Sequence, residues 1–261
     1  MGSLNIAATA MLAQQFNVDV ISNNIANLNT TAFKRARAEF NDLIYQTRSA
    51  VGAQSSDTGT LVVTGAQFGT GVKVGSTYRI HEQGNMLSTG NTFDVAIQGK
   101  GYFQVDMPDG TTAYTRAGSL QLSPTGTIVT PQGFTVQPAI TVPGDALEVA
   151  INASGEVQVK LPGQATTTTV GQFQLATFAN EAGLQSMGDN LLTETAASGA
   201  ATTGVPNQTG FGSMLQGFLE TSNVNMVNEI TTMITAQRAY ELASKVVQTS
   251  DEMLSSLVQT A

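Results

Sequence analysis

Hydrophobic residues recur every three or four positions at both ends of the chain. The segments Ser3–Asn29 and Phe218–Ala261 also contain no Gly or Pro. This spacing places apolar side chains along one side of an α-helix, so the pattern predicts an amphipathic helix at each terminus. The predicted apolar seams comprise Leu4, Ala7, Met11, Val18, Ile21, Ile25 and Leu28 in the first helix, and Met226, Ile230, Met233, Tyr240, Ala243, Val247, Leu254 and Leu257 in the second.

In the middle of the chain the apolar residues alternate with polar ones instead. The alternation is clearest at Val95–Ile97, Phe103–Val105 and Val157–Leu161, and Gly- and Pro-containing turns separate these runs. Short alternating runs between turn residues predict antiparallel β-strands. The fold class is therefore predicted as α+β, with discontinuous terminal coiled-coil helices plus a central antiparallel β domain.

The same pattern divides the chain into four predicted segments. They are an N-terminal helix over residues 1–33, a connector over 34–75, a central β domain over 76–213 and a C-terminal helix over 214–261. We expect the first and last segments to form one helical module.

The terminal helices also predict self-assembly. An isolated helix is only marginally stable in water, so each apolar seam needs a partner surface. Residues 1–33 carry a single charge, Asp19, and such low charge lets identical helices pack closely without the cost of burying ions. A head-to-tail contact that does not close generates an open helical filament, which is the predicted assembly.

Composition and charge exclude several classes of function. The net charge is -8 with only 11 Lys and Arg, which disfavours nucleic acid as a partner. Cysteine is absent, so neither disulfides nor thiolate metal sites are possible. The N-terminus lacks the basic and apolar regions of a signal peptide, so we expect export without a cleaved signal.

Candidate chemical sites are weak. His81 is the only histidine, and we expect it on the surface or at a strand end rather than in a catalytic triad. Lys34, Arg35 and Arg37 are expected to form a solvated helix end. No catalytic residue, cofactor or metal site is predicted, and the protein is not expected to be an enzyme.

Motifs at both ends of the chain resemble the flagellar basal-body rod and hook family. The N-terminal motif is Ser22–Arg35, and the C-terminal motifs are Glu220–Met226, Ile234–Glu241 and Thr249–Met253. The central segments Asp94–Val105 and Thr112–Gly118 resemble the β domain of that family. The resemblance implies a hollow tube in which the helices line a channel and the β domains form the outer wall.

The resemblance also implies an interface for self-assembly. Its predicted residues are Leu4, Met11, Val18, Ile21, Asn24, Ile25, Asn27, Leu28, Ile230, Met233, Tyr240, Val247 and Leu254. The asparagines are poor helix formers inside a predicted helix, and we interpret them as hydrogen-bonding groups between packed subunits.

Within the family, Asp42–Thr47, Gly52–Ser56 and Gly69–Val72 resemble the branch that builds the distal rod. A stretch over residues 46–63, including Gln46, Gln54, Ser55, Ser56 and Leu61, is expected to wedge between neighbouring subunits and keep the rod straight. The family usually has Gly where this chain has Ala32, and a positive φ there would cost alanine more than glycine.

By resemblance, the partners are further copies of the chain, the proximal rod proteins, the hook protein, the P-ring and L-ring proteins and the flagellar export apparatus. The expected location is the flagellar basal body, from the periplasm to the outer membrane. Two alternatives remain open: another rod or hook axial subunit, and a secreted β-rich adhesin.

Overall fold

The computed structural model describes residues 2–49, 64–164 and 166–260, and these fall into two compact units. Unit 1 takes residues 2–26, 36–49, 64–78 and 225–260, whereas unit 2 takes residues 27–35, 79–164 and 166–224. The borders differ from those predicted at residues 33, 75 and 213. The predicted connector contributes strands to unit 1, and residues 27–35 belong with the β unit rather than with the helices.

Unit 1 combines two long helices with four strands. The elements are α1 (Gly2–Ala26), β1 (Ala36–Asp42), β2 (Tyr45–Ser49), β3 (Ala66–Gly69), β4 (Val72–Arg79) and α2 (Met226–Thr260). Strand β1 pairs with β4, and β2 pairs with β3.

Both helices are shorter than their sequence patterns predicted. Helix α1 ends at Ala26, before a turn that starts at Asn27. Helix α2 begins at Met226 because Asn225 caps it: the Asn225 side-chain oxygen accepts hydrogen bonds from the N–H groups of Val227 and Asn228 at 3.1 and 3.2 Å. The residues before this cap include a short strand rather than the first turns of the helix.

Unit 2 is built from short strands. They are β5 (Met86–Ser88), β6 (Val95–Gln98), β7 (Tyr102–Asp106), β8 (Thr112–Thr115), β9 (Gln121–Leu122), β10 (Ile128–Val129), β11 (Thr135–Gln137), β12 (Glu148–Ile151), β13 (Glu156–Lys160), β14 (Thr168–Gln172), β15 (Leu175–Thr177), β16 (Gln185–Gly188), β17 (Leu191–Thr193), β18 (Thr202–Gly204), β19 (Ser213–Gln216) and β20 (Phe218–Glu220).

The largest sheet runs in the order β16-β17-β8-β7-β11-β10-β9, and β15 joins it by pairing with β7 and β18. Strands β12, β13 and β14 form a second sheet, while β19 pairs with β6 and β20 pairs with β5. These pairings are antiparallel. The α+β prediction with a central antiparallel β domain is therefore confirmed.

The core of unit 2 follows the alternation of side chains along β7. Phe103 and Val105 are fully buried on one face, where the Phe103 ring meets the Phe173 ring edge-on at 6.1 Å. Tyr102 faces the other way and packs with Tyr114 in a second, smaller cluster. Successive side chains of a strand point to opposite faces, so this strand is buried on both.

Candidate assembly site

The two helices of unit 1 pack against each other through small and apolar side chains. Ala7, Ala13 and Ile21 of α1 and Ala236 of α2 are all buried. Alanine side chains let the helix backbones approach closely, so much of the contact within the chain depends on residues that add little apolar area.

Asn24 links α1 to two other elements of unit 1. Its side-chain N–H₂ donates to the Glu229 carboxylate at 3.2 Å and to the Ala36 carbonyl at 2.9 Å, and its oxygen accepts the Ala36 N–H at 2.8 Å. Only 2% of Asn24 is exposed. Asn24 therefore hydrogen-bonds within its own chain, and Ile21 is buried there as well; their role in contacts between subunits stays a prediction.

The other predicted interface residues lie at several depths. Leu4, Met11, Val18, Ile25, Met233 and Val247 are half-buried along the helix pair, Ile230, Tyr240 and Leu254 are exposed, and Asn27 and Leu28 follow the end of α1 and belong to unit 2. The self-assembly role of these residues stays a prediction.

Sequence reasoning missed most of a second row of apolar residues on α2, of which it named only Ile230. We call it the outer stripe; it consists of Val227, Ile230, Ile234, Leu242, Val246 and Met253. All six side chains are exposed. Most of them lie on the side of α2 away from the buried Glu229, Ala236 and Ser250, and Ile230 and Val246 form the edges of the stripe. The spacing is present in the sequence, but spacing does not show which of two apolar rows is covered within the chain.

The predicted stiffening stretch begins in the two-stranded ribbon β2–β3. Gln46 of β2 pairs with Phe68 of β3, and the Arg48 guanidinium lies 5.9 Å from the centre of the Phe68 ring. Just before Gln46 the ribbon exposes Ile44 and Tyr45. The other predicted residues, Gln54, Ser55, Ser56 and Leu61, lie outside the described residues.

Unit 2 contains a buried ion cluster in place of the predicted solvated helix end. The Lys34 ammonium lies 2.5 Å from one carboxylate oxygen of Glu220, and the Arg116 Nε lies 2.8 Å from the other. The Lys34 and Glu220 side chains are 5% and 0% exposed. The prediction for Lys34 was therefore wrong, because a carboxylate remote in sequence compensates the burial of its charge.

The pKa values in this cluster follow from burial and from the neighbouring charges. Burial lowers the pKa of Lys34, although Glu220 opposes the change. Burial alone would raise the pKa of Glu220, but Arg116 and Lys34 outweigh it and hold that pKa below its ordinary value. Glu220 is therefore ionised at neutral pH.

His81 lies beside this cluster, just after the end of β4, as the strand-end alternative predicted, and it is largely buried rather than on the surface. Its side chain is only 10% exposed, and Nδ1 lies 2.9 Å from the Tyr102 hydroxyl. Burial, followed by the charges of Lys34, Arg79 and Arg116, lowers the pKa of His81 to about 4. The histidine is therefore neutral at neutral pH and takes part in a structural hydrogen bond.

Gly99 and Gly101 form the tight bend between β6 and β7, and both have a positive φ. Among the described residues, no group of three or more His, Asp and Glu side chains is arranged to hold a metal ion. No helix in the described part of the chain has the length and apolar character required to cross a membrane.

Comparison with known families gives three matches along the chain. Residues 4–34 match the flagella basal body rod protein family, residues 96–159 match the flagellar hook protein FlgE/F/G D1 domain, and residues 215–260 match the flagellar basal body rod FlgEFG protein C-terminal family.

Individual relatives match over nearly the whole length. The chain is 57% identical to the flagellar basal-body rod protein FlgG of Caulobacter vibrioides over 99% of both chains. It is 50% identical to the FlgG protein of Agrobacterium fabrum, over 98% of this chain and 97% of that protein. The flagellar hook protein FlgE of Treponema pallidum is 40% identical, but over 60% of this chain and 34% of its own length.

Proposed function

The chain belongs to the FlgG family of flagellar basal-body rod proteins, and from that premise we propose that it polymerises with copies of itself into a straight, hollow distal rod that transmits torque from the motor to the hook. The role is structural rather than catalytic. The full-length match to rod proteins, against a partial match to a hook protein, favours the rod over the hook.

The outer stripe is the observation that most directly supports the proposed self-assembly. It extends for roughly 39 Å along α2, at about 1.5 Å per residue from Val227 to Met253. Burial of each side chain would contribute roughly 1 to 2 kcal/mol, because each is already partly covered. Six such contributions are large enough to offset part of the entropy that a subunit loses on joining a polymer.

We assign the outer stripe to helix α1 of a second copy. The exposed Leu12 lies seven residues before Asp19, so the two share one side of α1, and Asp19 is the single charge of this helix. Arg238 lies on the same side of α2 as the outer stripe and has no ion-pair partner among the described residues. The Asp19 carboxylate of one copy can therefore face the Arg238 guanidinium of the next.

The β2–β3 ribbon supports the proposed stiffening role of residues 46–63. A two-stranded ribbon is only marginally stable in water without a further packing surface. Burial of the exposed Ile44 and Tyr45 against a neighbouring subunit would supply that surface. Such a contact would resist sliding between subunits and keep the rod straight.

The remaining partners follow from membership of the family. We propose contacts with the proximal rod proteins, the hook protein and the P-ring and L-ring proteins, after export through the flagellar export apparatus. The protein lies in the flagellar basal body, and we propose that the rod it forms spans the periplasm as far as the outer membrane.

Leu242→Asp tests the assembly role of the outer stripe. The Leu242 side chain is 66% exposed, so an aspartate is tolerated in the monomer. At a subunit contact it would remove roughly 1 to 2 kcal/mol of apolar burial and leave a buried charge unpaired. The combined cost should exceed roughly 3 kcal/mol, which raises the concentration needed for polymerisation at least about 100-fold.

The matched control is Leu147→Asp, which places the same charge at a leucine of unit 2 that is 70% exposed. Polymer would be measured by sedimentation and electron microscopy, and monomer folding by circular dichroism. The proposal predicts filaments from the control and a folded, non-polymerising Leu242→Asp protein. Filaments of normal yield from Leu242→Asp would remove the outer stripe from the subunit interface.

A further inference from the structure

We propose that Lys34, Glu220 and Arg116 form a latch that fastens the chain segment following α1 to the segment preceding α2, and that this latch opens locally without unfolding of unit 2. The latch concerns unit 2 alone and does not depend on the proposed assembly.

Glu220 is the centre of the latch. One carboxylate oxygen accepts hydrogen bonds from the Lys34 ammonium at 2.5 Å and from the Gly84 N–H at 2.9 Å, and the other accepts one from Arg116 Nε at 2.8 Å. The Lys34 ammonium also donates to the Glu82 carbonyl at 2.6 Å. Segments distant in sequence therefore meet at one buried carboxylate.

Backbone hydrogen bonds extend the contact on both sides of the ion pair. The Ala32 N–H donates to the Glu220 carbonyl at 2.8 Å, and the Arg35 N–H donates to the Asn223 side-chain oxygen at 2.8 Å. The Asn223 side-chain N–H₂ donates in turn to the Ile80 carbonyl at 2.8 Å. Residues 32–35 are thus held along their length by residues 220–223.

The latched segments lie where the chain passes between unit 1 and unit 2. Unit 2 consists of residues 27–35 and 79–224, so the chain passes between the two units next to residues 27, 35, 79 and 224. Lys34, Glu82, Gly84 and Glu220 lie close to these borders in sequence, whereas Arg116 and its carbonyl partners lie in the interior of the second range. The latch therefore fixes where the chain enters and leaves unit 2.

The two cations are not equivalent. Beyond Glu220, Arg116 donates hydrogen bonds to the carbonyls of Ile97, Gly99 and Gly101, at 3.2, 3.0 and 3.0 Å. These bonds attach the guanidinium to β6 and to the bend that precedes β7. The Arg116–Glu220 pair can persist without Lys34, so loss of Lys34 releases one segment and leaves the rest of the cluster neutralised.

The latch holds Ala32 in a backbone conformation that alanine disfavours. Its φ is 57°, in the left-handed region that disfavours a residue with a Cβ. Such conformations persist where the surrounding contacts over-determine them. The hydrogen bond from the Ala32 N–H and the ion pair of Lys34 supply these contacts, and without them the backbone of Ala32 would relax to a more favourable conformation.

Amide hydrogen exchange of the full-length protein in its monomeric form tests the latch. In the wild type, the amides of Ala32 and Arg35 should exchange at least about tenfold faster than those of Phe103 and Val105 in β7, because local opening precedes global unfolding. Equal rates at the two places would overturn the proposal, since only global unfolding would then release the segment.

Lys34→Met provides the second measurement, with Arg37→Met as the control that removes an exposed cation nearby. We expect the exchange rates of the Ala32 and Arg35 amides to rise roughly 10- to 100-fold in Lys34→Met. This rise is smaller than the effect of breaking an isolated buried ion pair, because Arg116 and Gly84 still bind Glu220. The β7 amides should stay within about twofold of the wild type. An unchanged rate at Ala32, or an equal rise throughout unit 2, would refute the latch.

Discussion

Replacement of Ala32 by glycine isolates the cost of a strained backbone conformation. Ala32 is buried and has a φ of 57°. Ala113, in the central strand β8, is equally apolar and fully buried, but its φ is not positive. Both substitutions remove one buried methyl group from unit 2, so the difference between them reports the conformational strain at Ala32.

The expected change in the free energy of unfolding combines three contributions. Loss of a buried methyl group costs about 0.8 kcal/mol, and the greater freedom of glycine in the unfolded chain costs about 0.5 to 1 kcal/mol. Ala113→Gly should therefore destabilise unit 2 by about 1.5 kcal/mol. At Ala32 the release of left-handed strain returns about 1 to 2 kcal/mol, so Ala32→Gly should be nearly neutral.

Urea unfolding followed by near-ultraviolet circular dichroism gives the comparison, because the buried tyrosines Tyr102 and Tyr114 both report on unit 2. With a urea dependence of about 1 to 3 kcal/mol per molar, the Ala113→Gly midpoint should fall by roughly 1 M and the Ala32→Gly midpoint should hardly move. Equal falls for the two variants would show that Ala32 stores no strain.

The buried histidine and the stiffening stretch each give a further prediction. The single His81 signal in a nuclear magnetic resonance titration should stay constant from about pH 7 to 5, because burial and the charges of Lys34, Arg79 and Arg116 lower its pKa from 6.5 to about 4; a midpoint near 6.5 would contradict this. Between these two pKa values the unfolded chain binds a proton at His81 that the folded chain does not, so stability should decrease as the pH falls through this window. His81→Gln should remove the contribution of the histidine to that decrease and leave the contribution of carboxylates such as Glu220. Deletion of residues 46–63 should give curved filaments. Replacement of these residues by a Gly-Ser segment of equal length separates the effect of their sequence from that of their length. Straight filaments from both variants would argue against the stiffening role.

Some features of this protein could be predicted because they depend on local sequence. The three-to-four spacing in the terminal segments and the alternation around Phe103 and Val105 predicted the helices and the antiparallel β domain correctly. Periodicity is a property of neighbouring residues, so it needs no knowledge of distant contacts. The motifs at both ends of the chain likewise indicated the family, because each motif is a continuous run of residues.

The borders and the internal faces could not be predicted in the same way. The run from Phe218 had no Gly or Pro, but Phe218–Glu220 pairs with β5 instead of joining α2. Pairing with a distant strand overrode a local pattern that was compatible with a helix. The second apolar row on α2 is distinguished from the first by helix packing, which covers one side of α2 within the chain and leaves the other exposed.

The sequence by itself determined the class of elements, the family and the low charge of α1, all of which follow from residue type and spacing. Only the tertiary structure decided the environment of the charged residues. Lys34 and Glu220 are 186 positions apart, and Arg116 and Glu220 are 104 apart. A buried cation is tolerated only beside a partner that neutralises it, and the fold selects that partner by bringing distant segments together.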